Sequence, residues 1–286
     1  MNNIKKFDIV IGNPPYQANS ESGGQKGTRT HIWDNFVDLS LQIVKDDGYL
    51  SLIHPAGWRR GGGKFSYIGD KLRQKQMLYL EIHDIQDGQK VFGATTGYDW
   101  YVLQNKAATG KTIVIDSVGV KSNIDIYKLK AIPNNQIDEI IKLIAFENEE
   151  KVGFIFDRSS YGHDKKWVKA IKDDKFKHPV VYSLPKNGMR LNFSSTNLNG
   201  HFGIPKIIWS NGAATQILID EKGEYGMTEW AYAIADEPNN LPSIKKAMES
   251  KKFMKLCEGM RFTLDKYDPK FISLLRKDFY KEFVNE

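Results

Sequence analysis

The chain has 286 residues, of which 41% are hydrophobic and 27% charged, and a formal net charge of +6. No apolar run approaches the roughly 20 residues of a spanning helix, so a membrane protein is not expected. The single cysteine, Cys257, excludes an intrachain disulfide and a zinc site built on cysteine pairs; it is read as a buried small hydrophobe. Residues 1–6 lack the apolar core of a signal peptide, which points to the cytoplasm. The positive charge admits a polyanionic partner without identifying one.

In chain order, Phe7-Asp8-Ile9-Val10-Ile11 reads as a buried strand stopped by the rigid turn Gly12-Asn13-Pro14-Pro15. Residues 17–28 read as a polar loop. Ile32, Phe36, Leu39 and Ile43 then recur at helical spacing, with Thr28 or Thr30 as cap, and Asp46-Asp47-Gly48 closes that helix. Strands are expected at 49–54, 77–85 and 98–104, and a helix at 66–76, with the last two strands forming a hairpin at the sheet edge. Alternating strands and helices indicate a layered α/β sheet. A boundary at residues 106–111 divides the chain into 1–111 and 112–286. Beyond it the pattern is mixed: strands at 113–118, 125–129 and 204–209, helices at 135–146 and 242–254, and turn-rich sequence over 157–203.

The segment that carries chemistry is Asn13-Pro14-Pro15-Tyr16. An aromatic amino nitrogen is a poor nucleophile because its lone pair is delocalised into the ring. Two acceptors receiving its N–H groups localise that lone pair for in-line attack on an activated methyl group. Asn13 offers a side-chain carbonyl and Pro14 a backbone carbonyl, and successive prolines fix the backbone without a competing donor. Tyr16 can stack on a base flipped from a duplex. Asp8 is read as a structural residue at the strand start, and His54 and His83 as packed strand residues whose spacing makes no metal site.

Asp8-x-x-x-Gly12-Asn13-Pro14-Pro15-Tyr16 after a strand resembles the catalytic motif of amino-methylating, S-adenosylmethionine-dependent enzymes. The chain is similar to the C-terminal portion of restriction-modification adenine methylases of the gamma arrangement. The resemblance implies amino binding by Asn13 and Pro14, base stacking by Tyr16 and, from the other face, Phe92 of Lys90-Val91-Phe92-Gly93. Gly48-Tyr49-Leu50, Pro55 and Trp58 resemble the family's next strand and its exit. Ile132-Pro133-Asn134 and Phe202-Gly203-Ile204-Pro205-Lys206 resemble passages of its target recognition region. The implied architecture is a partial Rossmann-like methyltransferase sheet followed by a mixed α+β target recognition domain.

Double-stranded DNA is the implied partner. Arg59, Arg60 and Lys64 are candidates for its backbone; Lys245, Lys246, Lys251, Lys252 and Lys255 form a basic helix face; Lys206, Trp209, Asn211 and Arg190 are candidates nearer the bases. Gly61-Gly62-Gly63 with Glu81 does not make a cofactor turn, because the glycines are not set between a strand and a helix. The glycine-rich turn that binds S-adenosylmethionine is not read anywhere in the chain. A second polypeptide carrying that half, or self-association, is therefore expected. Two other readings share these features: a non-catalytic DNA-binding or specificity remnant, and a methyltransferase acting on RNA or a glutamine side chain.

Overall fold

Strand β1 (Phe7–Gly12) pairs in parallel with the long β4 (Val44–Pro55), and both enter a mixed sheet. The computed structural model describes residues 5–18, 30–263 and 265–283. The loop and Thr28 cap expected after Ala18 fall outside them. Two short strands, β2 (Gln17–Ala18) and β3 (Thr30–His31), pair antiparallel at the start of helix α1 (Trp33–Ile43). The elements that follow β4 are α2 (Ser66–Arg73), β5 (Lys75–His83), α3 (Ile85–Phe92), β6 (Tyr98–Ala107), β7 (Thr112–Ile115) and β8 (Lys121–Ile124). The sheet order is β1-β4-β6-β5-β7-β8.

This order corrects two expectations. The last two strands of the first half are not an edge hairpin: β6 lies inside the sheet, antiparallel to both β4 and β5, and α3 joins β5 to it. The boundary expected at residues 106–111 is also displaced. Strand β7 extends the same sheet by pairing parallel to β5, and the first compact unit closes at Asp138. Thr112 ties this extension down through a hydroxyl bond to Met77 O at 2.7 Å.

Two apolar faces are exposed. β1 has the composition of a strand buried on both sides, yet it is an edge strand, and Phe7, Ile9 and Ile11 are 43%, 60% and 77% exposed. In α1 the buried stripe includes Trp33, Val37 and Ser40, whereas Phe36 and Leu39, the residues whose spacing marks the helix in the sequence, are exposed. The core behind them is aromatic. The His54 ring lies face-on to Trp33 at 4.7 Å and edge-on to Trp58 and Tyr101.

The second unit, Glu139–Glu286, holds two four-stranded sheets. Its strands are β9 (Gly153–Ile155), β10 (Val168–Lys169), β11 (His178–Ser183), β12 (Arg190–Ser194), β13 (Lys206–Ser210), β14 (Leu218–Asp220), β15 (Gly226–Met227) and β16 (Ala231–Ala235). They run β10-β12-β11-β15 and β14-β13-β16-β9. Val181, Ile208, Met227 and Ala233 share one core, which joins the two sheets. Within 157–203, read from sequence as turn-rich, the strands β10, β11 and β12 are short and turns and irregular backbone make up most of the rest. Residues 125–129 form a 3-10 turn over Ile126–Lys128 in place of the expected strand. Helix α4 (Ile137–Leu143) stands where 135–146 was expected. The helix expected over 242–254 is two, α5 (Leu241–Glu249) and α6 (Lys251–Gly259). Ser250 breaks it: its backbone is extended, and its hydroxyl caps α6 by accepting from Phe253 N.

Candidate active site

The turn after β1 leaves Asn13 exposed, Pro14 buried and Tyr16 half-buried. Asn13 stands at the rim of a cleft of about 420 Å³ whose other lining residues are Ile11, Gly12, Ser51, Leu52, Ile53 and Trp100. The cleft is therefore built from the ends of β1 and β4 with one side chain of β6. Tyr16 is held at its backbone, where its carbonyl accepts from Ile32 N at 3.3 Å. Its hydroxyl is buried without a hydrogen-bond partner among the described residues, and burial raises its pKa above the ordinary value.

The structure brings Tyr16 and Phe92 together, 76 positions apart in sequence. Their ring centroids are 5.9 Å apart and their planes 72° from parallel, an edge-to-face contact. Phe92 is the last residue of α3, a short helix that the sequence reading did not include. Asp84 caps its start by accepting from Asp87 N at 2.9 Å, and Gly93 ends it in the left-handed conformation, φ 65°. Behind Phe92 stand Tyr98, His83 and Asp87. Sequence reasoning gave them no place in the site, although Asp84 and Gly93 are ordinary cap signals for the helix that positions them.

Of the basic candidates, several are engaged elsewhere. Arg59 has no exposed surface: its Nε donates to Asp99 Oδ2 at 2.7 Å, and its remaining nitrogens donate to Ile132 O, Pro133 O and Asn134 Oδ1. It fastens the Ile132-Pro133-Asn134 passage to β6, and its expected DNA contact is corrected on that ground. Lys206 is equally buried, donating from Nζ to Asp220 Oδ2 at 2.7 Å and to the carbonyls of His201 and Ile204. Trp209 is fully buried in β13. A side chain with no exposed surface reaches neither phosphate nor base. Arg60 and Lys245 are half-buried, while Lys64, Lys246, Lys251, Lys252, Lys255, Arg190 and Asn211 are exposed. Among the described residues no group of three metal-ligating side chains is assembled, and no helix is long and apolar enough to cross a membrane.

The parallel β1–β4 pair is extended by the antiparallel β6, and the Asn-Pro-Pro-Tyr turn stands at the end of β1. Residues 1–92 match the family described as Eco57I restriction-modification methylase. An uncharacterized adenine-specific methylase of Mycoplasma pneumoniae is 30% identical over 115 residues, which cover 39% of this chain and 26% of that protein. The chain thus spans about a quarter of that relative's length. Among solved structures, the EcoKI M protein of a type I restriction enzyme aligns with a TM-score of 0.31 at 16% identity, over 40% of this chain and 26% of that one. The type IIL restriction-modification enzyme MmeI, in complex with DNA, aligns with a TM-score of 0.48 at 9% identity, over 93% and 45%.

Proposed function

We propose that this chain takes part in methyl transfer from S-adenosylmethionine to the exocyclic amino group of adenine in DNA, within a restriction-modification system. The observation that carries the proposal is the exposed Asn13 at the rim of an apolar cleft, beside a turn whose Tyr16 meets Phe92. Asn13 Oδ1 and the Pro14 carbonyl accept the two amino protons and localise the lone pair. Tyr16 and Phe92 supply faces for a base out of its stack. The second unit, with exposed lysines on α5 and α6, serves target binding.

The cleft does not by itself fit the whole cofactor. Its polar side chains are Asn13 and Ser51, with no carboxylate for ribose hydroxyls and no glycine turn opening a helix. The exposed apolar residues of β1 and of α1 are where a cofactor-binding half would pack, because open strand edges and apolar patches of this kind favour association. That half resides in a further segment or in a partner polypeptide.

The test is transfer of labelled methyl groups to unmodified DNA by this chain alone and by its mixture with a cofactor-half protein. Activity only in the mixture, abolished by Asn13→Ala, is the expected result. Asn13 is exposed, so that substitution leaves stability within about 0.5 kcal/mol. Full activity in Asn13→Ala overturns the assignment of the amino acceptor.

A further inference from the structure

The cluster behind Phe92 is built more firmly than a stacking residue alone requires. A single carboxylate oxygen, Asp87 Oδ2, accepts from the Tyr98 hydroxyl at 2.7 Å and from His83 Nδ1 at 2.8 Å. A carboxylate only accepts, so Nδ1 of His83 carries the proton. The two donors are themselves stacked, ring centroids 4.3 Å apart and planes 2° from parallel. Tyr98 presents its ring to Phe92 at 4.9 Å and 85°. The backbone beneath is equally constrained: a Cβ on Gly88 would fall 1.9 Å from Thr96 O, so α3 lies directly on that chain segment. The Tyr98 bond is the main cause holding the Asp87 carboxyl below its usual pKa, which keeps it in the accepting form.

On the other side Tyr16 is differently placed. Its backbone is held, but its buried hydroxyl has no partner among the described residues. A base stacked between two rings needs their planes about 7 Å apart, twice an ordinary carbon–carbon contact. The edge-to-face arrangement at 5.9 Å leaves no such slot, so one ring must turn. Phe92 has an anchored wall behind it, and the Tyr16 ring gives up no hydrogen bond by moving.

We propose that Asp87 is a positioning residue for the target base, clamping Tyr98 and His83 as a fixed wall behind Phe92 so that the slot opens by movement of Tyr16. The proposal rests on the base-stacking reading above and assigns the division of labour within it. Asp87 itself touches no substrate.

The test uses the full chain and a duplex carrying 2-aminopurine opposite an abasic site, a probe that flips at low cost and is quenched when it stacks. Fluorescence is read per bound duplex. Phe92→Ala brightens the bound probe, and Asp87→Ala brightens it through a stacked population reduced about two- to ten-fold, the weight of one aromatic contact. The double variant is no brighter than Phe92→Ala, and Asp87→Asn restores part of the quenching because its amide oxygen still accepts from Tyr98. Tyr98→Phe keeps the ring contacts and brightens similarly, covering the case in which Asp87→Ala does not fold. The proposal is overturned when Asp87→Ala or Tyr98→Phe stays as dark as wild type while Phe92→Ala brightens, or when the two effects add. A bound probe indifferent to Phe92→Ala removes the stacking reading, and this proposal with it.

Discussion

Acidification should loosen the first unit through His54. The ring has no exposed surface; its Nδ1–H donates to Pro55 O at 3.2 Å, and its Nε2 accepts from the Tyr101 hydroxyl at 3.1 Å. Burial depresses its pKa from 6.5 to about 4, and the nearby Arg59 charge acts in the same direction. The unfolded chain therefore binds a proton that the folded one refuses between those two values. The stabilisation is complete above pH 6.5 and is lost as pH falls towards 4. At about 1.4 kcal/mol per pKa unit, the loss is about 3 kcal/mol. The comparison is His54→Phe, which keeps an aromatic ring and removes the titration. It lowers stability at neutral pH by about 1–3 kcal/mol, because the Tyr101 hydroxyl loses its acceptor. Urea unfolding followed by hydrogen exchange on peptides of β4 and β6 reports the first unit alone. Wild type should lose about 3 kcal/mol more than His54→Phe between pH 7 and 4. Equal losses in both proteins would refute the reasoning, since carboxylates common to the pair cancel.

Lys206→Ala should destabilise the second unit by about 3–5 kcal/mol, because it strands the Asp220 carboxylate in the core, and Lys206→Met by less. Urea midpoints measure this, and nonspecific DNA affinity of the protein that remains folded should not change; a loss of affinity would return Lys206 to the DNA surface. Gly88→Ala should cost about 1–3 kcal/mol through its collision with Thr96 O, reversing the gain that alanine brings to an exposed helix. Thermal unfolding decides the sign.

The turn that ends β1 was legible because its information is local: an apolar run, a glycine, an asparagine and two prolines in succession. Residues whose roles depend on distant partners were not. Lys206 reads as a surface cation until Asp220 and the carbonyls of His201 and Ile204 are brought around it. Arg59 likewise needs Asp99, 40 positions away, before its burial makes sense. In α1 two stripes satisfy the helical period, and the buried one contains polar Ser40, so hydrophobicity alone selected the exposed stripe of Phe36 and Leu39. Helix α3 is short and rich in glutamine, aspartate and glycine, so apolar periodicity missed it although its caps were readable.

The place of β6 in the sheet separates the matched segment from the folding unit. The family match ends at residue 92, before β6 begins at Tyr98, yet β5 reaches β4 only across β6. A polypeptide cut at the end of the matched segment would own both flanking strands and lack the one that joins them. During synthesis β5 must wait for β6 to emerge. The pair can then close locally around α3 before docking on β4, the more distant partner in sequence and the slower closure. The stretch that matches the family is thus shorter than the stretch that folds.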